Sequence, residues 1–309
     1  MSKYRILSID GGGIRGIITA IILQRLISDS TISGFLNDVD LIAGTSTGGL
    51  LALGIANGLE PNYMRDIYEK KGGFIFDDSW IDNLLDIGKI TGADYDIRNL
   101  EKVLKNIFGQ TTLSGLKKNI LITTFDLDNE SKDLNSRTWK PKIFHNFKGS
   151  DSDGNELAYK VGLYTSAAPT YFPSVDGYVD GGVYANNPSM CALAQSQDKR
   201  FFKDPNISEV VLLSLGTGTS LVFIKGKEHD WGYAQWSKPL ISLMMDGVAG
   251  IADYQCKQIL GDNYFRFAPV FPADISVPMD DVGKIPYMID FANSRNLDET
   301  IKWIKNFWI

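Results

Sequence analysis

The sequence has few of the residues from which disulfide scaffolds and metal sites are built. Its 309 residues include two cysteines, Cys191 and Cys256, and two histidines, His145 and His229. Two cysteines exclude a disulfide-rich scaffold, and two histidines argue against a metal site built on several imidazoles. Neither histidine lies in a stretch with a catalytic pattern, so we expect a surface or structural role for both.

Long apolar runs and an excess of basic charge are also missing. No apolar run is long enough for a transmembrane helix, and no signal peptide is visible before the first predicted strand. The net charge is -6 and the isoelectric point is about 5.1, which argues against a nucleic-acid-binding protein. The two thiols fit a reducing compartment. We therefore expect a cytoplasmic protein that does not bind nucleic acid.

What the chain does contain is the alternation of strands and helices that is typical of an α/β protein. Hydrophobic residues make up 44% and charged residues 22% of the chain, which is ordinary for a globular protein. The patterns predict strands at 5–10, 39–43, 119–126, 137–144, 178–183, 209–216 and 263–270. They predict helices at 17–26, 50–56, 62–70, 96–108, 157–168, 188–197 and 298–309, with helical patches over 234–260. Since no linker rich in proline and glycine divides the chain, we expect one domain over 1–309.

The chemistry centres on segment 44–48, whose sequence is Gly-Thr-Ser-Thr-Gly. An apolar run before it predicts a buried strand, and the apolar run after it predicts a helix. A sharp strand-to-helix turn strains the residue at its apex and exposes that side chain, which is the position of a nucleophilic serine. Gly44 and Gly48 fit this turn because a Cβ would clash where the backbone folds back. Ser46 is the candidate nucleophile.

The glycine-rich segment 11–16 follows the first predicted strand and allows two hypotheses. It matches Gly-x-Gly-x-x-Gly, the fingerprint of dinucleotide-binding proteins. That fingerprint also requires an acidic residue at the end of the second strand, where this chain has Ser46. In the second hypothesis, the N–H groups of Gly11, Gly12 and Gly13 hold an oxyanion and Arg15 adds positive charge. The second hypothesis agrees better with a nucleophile at Ser46.

Asp180 is the candidate base. It ends a predicted strand and precedes Gly181 and Gly182, and carboxylates at such strand ends point toward the active-site edge of a parallel sheet. An aspartate with an ordinary pKa is a poor base, so this role requires burial that raises its pKa. An ordinary turn aspartate before two glycines is the structural alternative.

Taken together, these segments resemble the patatin-like phospholipase family. The matching segments, in the order of the family, are 10–16, 44–48, 166–173 (Ser-Ala-Ala-Pro-Thr-Tyr-Phe-Pro), 180–188 (Asp-Gly-Gly-Val-Tyr-Ala-Asn-Asn-Pro) and 213–218 (Leu-Ser-Leu-Gly-Thr-Gly). They define a motif-bearing core over 5–220, with 221–309 expected as an extension packed on it. The resemblance implies a three-layer α/β/α fold with a mainly parallel central sheet.

The resemblance also implies a Ser-Asp dyad in place of a triad, which explains the scarcity of histidine. Ser46 would be the nucleophile and Asp180 the base, and Gly11, Gly12, Gly13 and Arg15 would form the oxyanion hole. The implied reaction is hydrolysis of phospholipid or lysophospholipid acyl esters through an acyl-enzyme, with no metal and no cofactor. A phospholipase gated by a small ligand and a dinucleotide-binding protein remain as alternatives.

Two aromatic stretches raise the question of membrane contact. Segments 74–95 and 301–309 combine aromatic side chains with charged ones, as membrane-surface segments do. The alternatives for the first segment, taken as 74–98, are a loop packed on the sheet edge and a lid over the site. For 301–309 the alternative is a packed terminal helix. We expect peripheral membrane contact, and the sequence leaves the oligomeric state open.

Overall fold

A seven-stranded, mostly parallel sheet forms the centre of the computed structural model, which describes residues 3–76, 95–200 and 205–309. The strands are β1 (Tyr4–Ile9), β2 (Leu41–Thr45), β3 (Asn119–Asp126), β4 (Lys140–His145), β5 (Tyr178–Asp180), β6 (Val210–Leu215) and β7 (Tyr264–Phe267). Their order in the sheet is β4-β3-β2-β1-β6-β7, and β5 also pairs with β3. β4 and β5 run antiparallel to β3, whereas the other pairs are parallel.

Helices cover both faces of this sheet, which confirms the three-layer α/β/α architecture. Adjacent residues of a strand point to opposite faces, and in β6 both Leu212 and Leu213 are fully buried. The helices are α1 (Gly16–Ser28), α2 (Thr47–Asn57), α3 (Pro61–Ile75), α4 (Ile97–Phe108), α5 (Ala158–Ser166), α6 (Gly182–Ala185), α7 (Ser189–Ser196), α8 (Tyr233–Leu260), α9 (Ile285–Asn293) and α10 (Asp298–Trp303). Leu213 packs in a core with α1, α2, α5 and α9, and Leu212 packs in another core with α7 and α8.

Two helix predictions were wrong, the first because glycine was taken as a helix breaker. α3 continues to Ile75 instead of stopping near Gly72. A Cβ on Gly72 would lie 2.7 Å from Ile14 Cδ1, so this glycine allows close packing and does not end the helix. Segment 234–260 is one helix of 28 residues with Pro239 inside it, where separate helical patches were expected. α9 was not predicted from the sequence.

The C-terminal residues pack into the core. Trp303, Ile304 and Trp308 are buried, and the Trp308 indole donates a hydrogen bond to Phe35 O at 3.0 Å. This packing agrees with the alternative of a packed terminal helix for 301–309, and membrane contact of this segment stays a prediction. Of segment 74–95, residues 77–94 lie outside the described part of the chain. Among the described residues, none of the helices has the length and apolarity needed to cross a bilayer.

Candidate active site

Ser46 lies at the turn between β2 and α2. β2 ends at Thr45, α2 begins at Thr47, and Ser46 has a φ of 54°. A positive φ is strained for a residue with a side chain and is common at functional turns. The two flanking glycines make the turn possible, since a Cβ on Gly44 would lie 2.6 Å from Gly49 Cα and one on Gly48 would lie 2.5 Å from Asp10 O.

The pairing of β3 with its neighbours brings Asp180 to the same place as Ser46. Thr45 is the last residue of β2 that pairs with β3, opposite Thr123. β5 pairs with the next residues of β3, and Asp180 lies opposite Thr124. Ser46, which follows Thr45, and Asp180, the last residue of β5, are therefore brought together beside β3. Ser46 and Asp180 line one cavity.

The environment of Asp180 raises the pKa of its carboxyl group above the value in water. The side chain is buried, and Oδ1 accepts the Gly182 N–H at 2.7 Å, while Oδ2 has no hydrogen-bond partner in the described part of the chain. Burial raises the pKa of Asp180 to about 7, although the Ser46 hydroxyl and the Gly182 N–H favour the carboxylate. A carboxyl group with this pKa can accept and return a proton near neutral pH.

The glycine loop after β1 brings backbone N–H groups to the cavity. Gly12 and Gly13 line it with Ser46, and their N–H groups have no acceptor among the described residues. Gly11 differs, because its N–H donates to Asn186 O at 3.0 Å. The Gly11 carbonyl accepts a hydrogen bond from Thr217 Oγ1 at 2.8 Å. Of the three glycines expected to hold an oxyanion, Gly12 and Gly13 therefore have N–H groups available. The N–H of Gly11 is already bonded and fixes the loop in place.

A buried ion pair fixes the start of this loop. Asp10 accepts two hydrogen bonds from Arg266, at 3.1 Å to Oδ1 and 2.5 Å to Oδ2. Arg266 belongs to β7 and also donates to Ser214 Oγ at 2.7 Å. Such bidentate pairs fix geometry as well as charge. The ion pair therefore ties the glycine loop to the far edge of the sheet.

Arg15 supports the loop and is not one of the cavity-lining residues of the described chain. Its Nε donates to Gly12 O at 3.4 Å. Burial lowers the pKa of Arg15, and the charge of Asp246 opposes this change. This hydrogen bond places the guanidinium group of Arg15 at the carbonyl of Gly12, which lines the cavity.

The cavity has a volume of about 850 Å³ including its open mouth. Its walls are mainly apolar and aromatic, with Ile14, Leu50, Ile75, Phe76, Leu100, Phe172, Met245 and Met279 among the lining residues. A second cavity of about 460 Å³ lies between α2, α3 and α4 and shares Leu50, Tyr68, Ile75 and Leu100 with the first. A pocket of this kind suits a long apolar ligand with a polar group near Ser46.

Sequence reasoning did not find several residues that hold the site together. Thr165 Oγ1 accepts the Ser46 N–H at 2.8 Å, and the Ala167 carbonyl accepts the Asp180 N–H at 2.9 Å. Both belong to or adjoin segment 166–173, which the resemblance had marked without a chemical role. His145 is buried, and its Nδ1 accepts the Phe147 N–H at 3.3 Å. Neither histidine lines the described cavity.

Comparisons with known proteins identify a family that matches more than half of this chain. Residues 7–193 match the family model of the patatin-like phospholipases. A cGAMP-activated phospholipase of Pseudomonas aeruginosa is 30% identical, covering 85% of this chain and 77% of the relative. One from Vibrio cholerae is 34% identical, covering 70% and 64%. Protein teg of Priestia megaterium is 28% identical over the whole of both chains.

Proposed function

Because this chain belongs to the patatin-like phospholipase family, we propose that it hydrolyses fatty acyl esters of phospholipids or lysophospholipids through a Ser46–Asp180 dyad. One observation supports this most strongly. A strained serine and a buried aspartate with a pKa of about 7 line the same apolar cavity. A serine nucleophile needs a base, and Asp180 can serve as that base without histidine.

In the first half of the reaction, Ser46 Oγ attacks the ester carbonyl carbon and Asp180 takes the serine proton. The N–H groups of Gly12 and Gly13 hold the oxyanion that forms on the carbonyl oxygen. Collapse of this intermediate breaks the ester bond, and Asp180 protonates the departing alcohol. The fatty acyl chain, now bound to Ser46, lies against the apolar walls of the cavity.

In the second half, water attacks the acyl-enzyme. Asp180 takes a proton from the water, the Ser46 ester bond breaks, and the proton returns to Ser46 Oγ. The fatty acid leaves and the dyad is restored. Every proton moves between Asp180 and an oxygen atom, so a single carboxyl group serves both halves.

The glycine loop supports this proposal over dinucleotide binding. Gly12 and Gly13 line the cavity that contains Ser46. A Cβ on Gly11 would lie 3.2 Å from Ser46 Cβ, so the loop is packed directly against the nucleophile. A dinucleotide needs this loop for its pyrophosphate and an acidic residue after the second strand, and the second position is Ser46.

A ligand-gated phospholipase is the second candidate. It is favoured by the two relatives named cGAMP-activated phospholipases. In this case the dyad and the reaction are the same, and a nucleotide controls the rate. An assay with and without cGAMP separates an ungated from a gated enzyme.

Peripheral membrane contact fits the surface beside the cavity. Met245 of α8 lines the cavity, and Leu240, Leu243 and Met244 of the same helix are exposed. Apolar side chains near the entrance of a lipid-binding site suit contact with a membrane surface. We propose that α8 provides this contact.

The products formed from phospholipid vesicles test the proposed function. We expect wild-type protein to release fatty acid and lysophospholipid from diacyl phosphatidylcholine vesicles, with or without added cGAMP, as measured by mass spectrometry. Ser46→Ala should release neither. Release of phosphatidic acid or diacylglycerol would contradict acyl ester hydrolysis, since these products require cleavage on the head-group side.

The pH dependence of hydrolysis should follow Asp180. Because the base must be ionised and burial raises its pKa to about 7, kcat/KM for a neutral short-chain ester should fall as the pH decreases through about 7. The measurement is kcat/KM from pH 5 to 9. The two histidines of the chain are controls, and His145→Gln and His229→Gln should keep the same acid limb. A flat profile down to pH 5 would exclude Asp180 as the base.

A further inference from the structure

The C-terminal turn of α5 contacts the backbone of both members of the dyad. Thr165 Oγ1 accepts the Ser46 N–H at 2.8 Å and donates to Thr123 O at 2.7 Å. Two residues later, the Ala167 carbonyl accepts the Asp180 N–H at 2.9 Å. The residue between these two contacts is Ser166, the last residue of α5. Ser166 therefore lies between the two residues that contact the backbones of Ser46 and Asp180, and it lines the same cavity as both.

The Ser166 hydroxyl is buried without a partner. Its side chain lines the catalytic cavity, the residue is 7% exposed, and Oγ has no hydrogen bond in the described part of the chain. Helical serines usually bond to a preceding carbonyl, as Ser196 does with Leu193 O at 2.7 Å. A buried hydroxyl without a partner is costly and needs a reason.

A second unpartnered oxygen lines the same cavity. Asp180 Oδ2 is buried and has no hydrogen-bond partner among the described residues, whereas Oδ1 is bonded to the Gly182 N–H. A water molecule has two hydrogens, and these two oxygens can each accept one of them. A lone pair of the water then remains for an electrophile bound to Ser46.

We propose that Ser166 Oγ and Asp180 Oδ2 together hold the water that hydrolyses the acyl-enzyme, a role that rests on the proposed function. The water oxygen forms a bond to the acyl carbon while Asp180 Oδ2 takes one water proton. The bond between Ser46 Oγ and the acyl carbon then breaks, and Asp180 returns the proton to Ser46 Oγ. Ser166 accepts a hydrogen bond from the second water hydrogen and is chemically unchanged.

Competition between water and an added alcohol for the acyl-enzyme tests this role directly. Methanol has one O–H, which Asp180 can bind, and no second hydrogen for Ser166. Loss of the Ser166 hydroxyl should therefore slow attack by water more than attack by methanol. With p-nitrophenyl butyrate and methanol, Ser166→Ala should raise the ratio of methyl butyrate to butyric acid about tenfold, the effect of losing one hydrogen bond. This ratio does not depend on which step limits the overall rate.

Ser196→Ala is the matched control, because it removes another buried serine hydroxyl outside the residues that line the cavity. It should leave the product ratio unchanged. An unchanged ratio in Ser166→Ala would overturn the proposal, as would an equal loss of both products. Failure of the proposed function looks different, since wild type would then form products without an acyl group on Ser46, or Ser46→Ala would remain active.

Discussion

Replacing Ser46 with alanine is expected to lower the rate of ester hydrolysis roughly 10⁴-fold or more, as loss of a catalytic nucleophile does in other serine hydrolases. Asp180→Asn is expected to lower it about 10²–10⁴-fold, the usual contribution of a general base. The measurement is kcat and KM for a short-chain ester. The reason for both effects is the same, since neither residue can perform the proton transfer without the other.

Stability measurements separate this loss from a loss of folding. The folded protein binds the Asp180 proton more tightly than the unfolded chain, because burial raises the pKa from 3.8 to about 7. Between these pH values, the contribution of Asp180 to the free energy of unfolding therefore falls as the pH rises. Asparagine cannot ionise, so Asp180→Asn should be at least as stable as wild type in urea at pH 8. An inactive variant that is also much less stable would contradict this account.

Gly48→Ala is expected to have the largest effect on stability. A Cβ at this position would lie 2.7 Å from Ile9 C and 2.5 Å from Asp10 O. These are backbone atoms of β1 and the residue after it, which cannot rotate away. The strand and α2 would have to separate, at an expected cost of about 2 kcal/mol or more in the free energy of unfolding.

Gly73→Ala is the matched control for this substitution. Gly73 lies in α3, and a Cβ there would meet nothing within 4 Å. Alanine should stabilise the helix by about 0.5–1 kcal/mol. Urea unfolding of both variants is the measurement. Equal midpoints would show that the turn around Ser46 does not need its glycine.

The sequence was sufficient to predict the central turn because its determinants are local. The turn requires a buried strand, small residues around Ser46 and a helix, and all three lie within segment 39–56. The positive φ of Ser46 is the backbone strain that this pattern predicts. Asp180 was found in the same way, from its place between an apolar strand and two glycines.

The supports of the site were missed because they come from distant parts of the chain. Arg266 pairs with Asp10 across 256 positions, and Thr217 bonds to Gly11 across 206. No local pattern marks Arg266, since an arginine in a short edge strand is ordinary on its own. Thr217 lies in segment 213–218, which the resemblance marked, but a local pattern does not show which residue it bonds to. Gly11 was assigned a free N–H for the same reason, because Asn186 O, which accepts it, lies far along the sequence.

Covalent labelling of Ser46 is the most direct test of the dyad. Wild type, Ser46→Ala and Asp180→Asn are treated with a fluorophosphonate, with and without cGAMP, and the labelled peptide is identified by mass spectrometry. We expect a label on the Ser46 peptide of wild type, none in Ser46→Ala and much slower labelling in folded Asp180→Asn. A label on another residue, or equal labelling rates in wild type and Asp180→Asn, would contradict the proposed dyad.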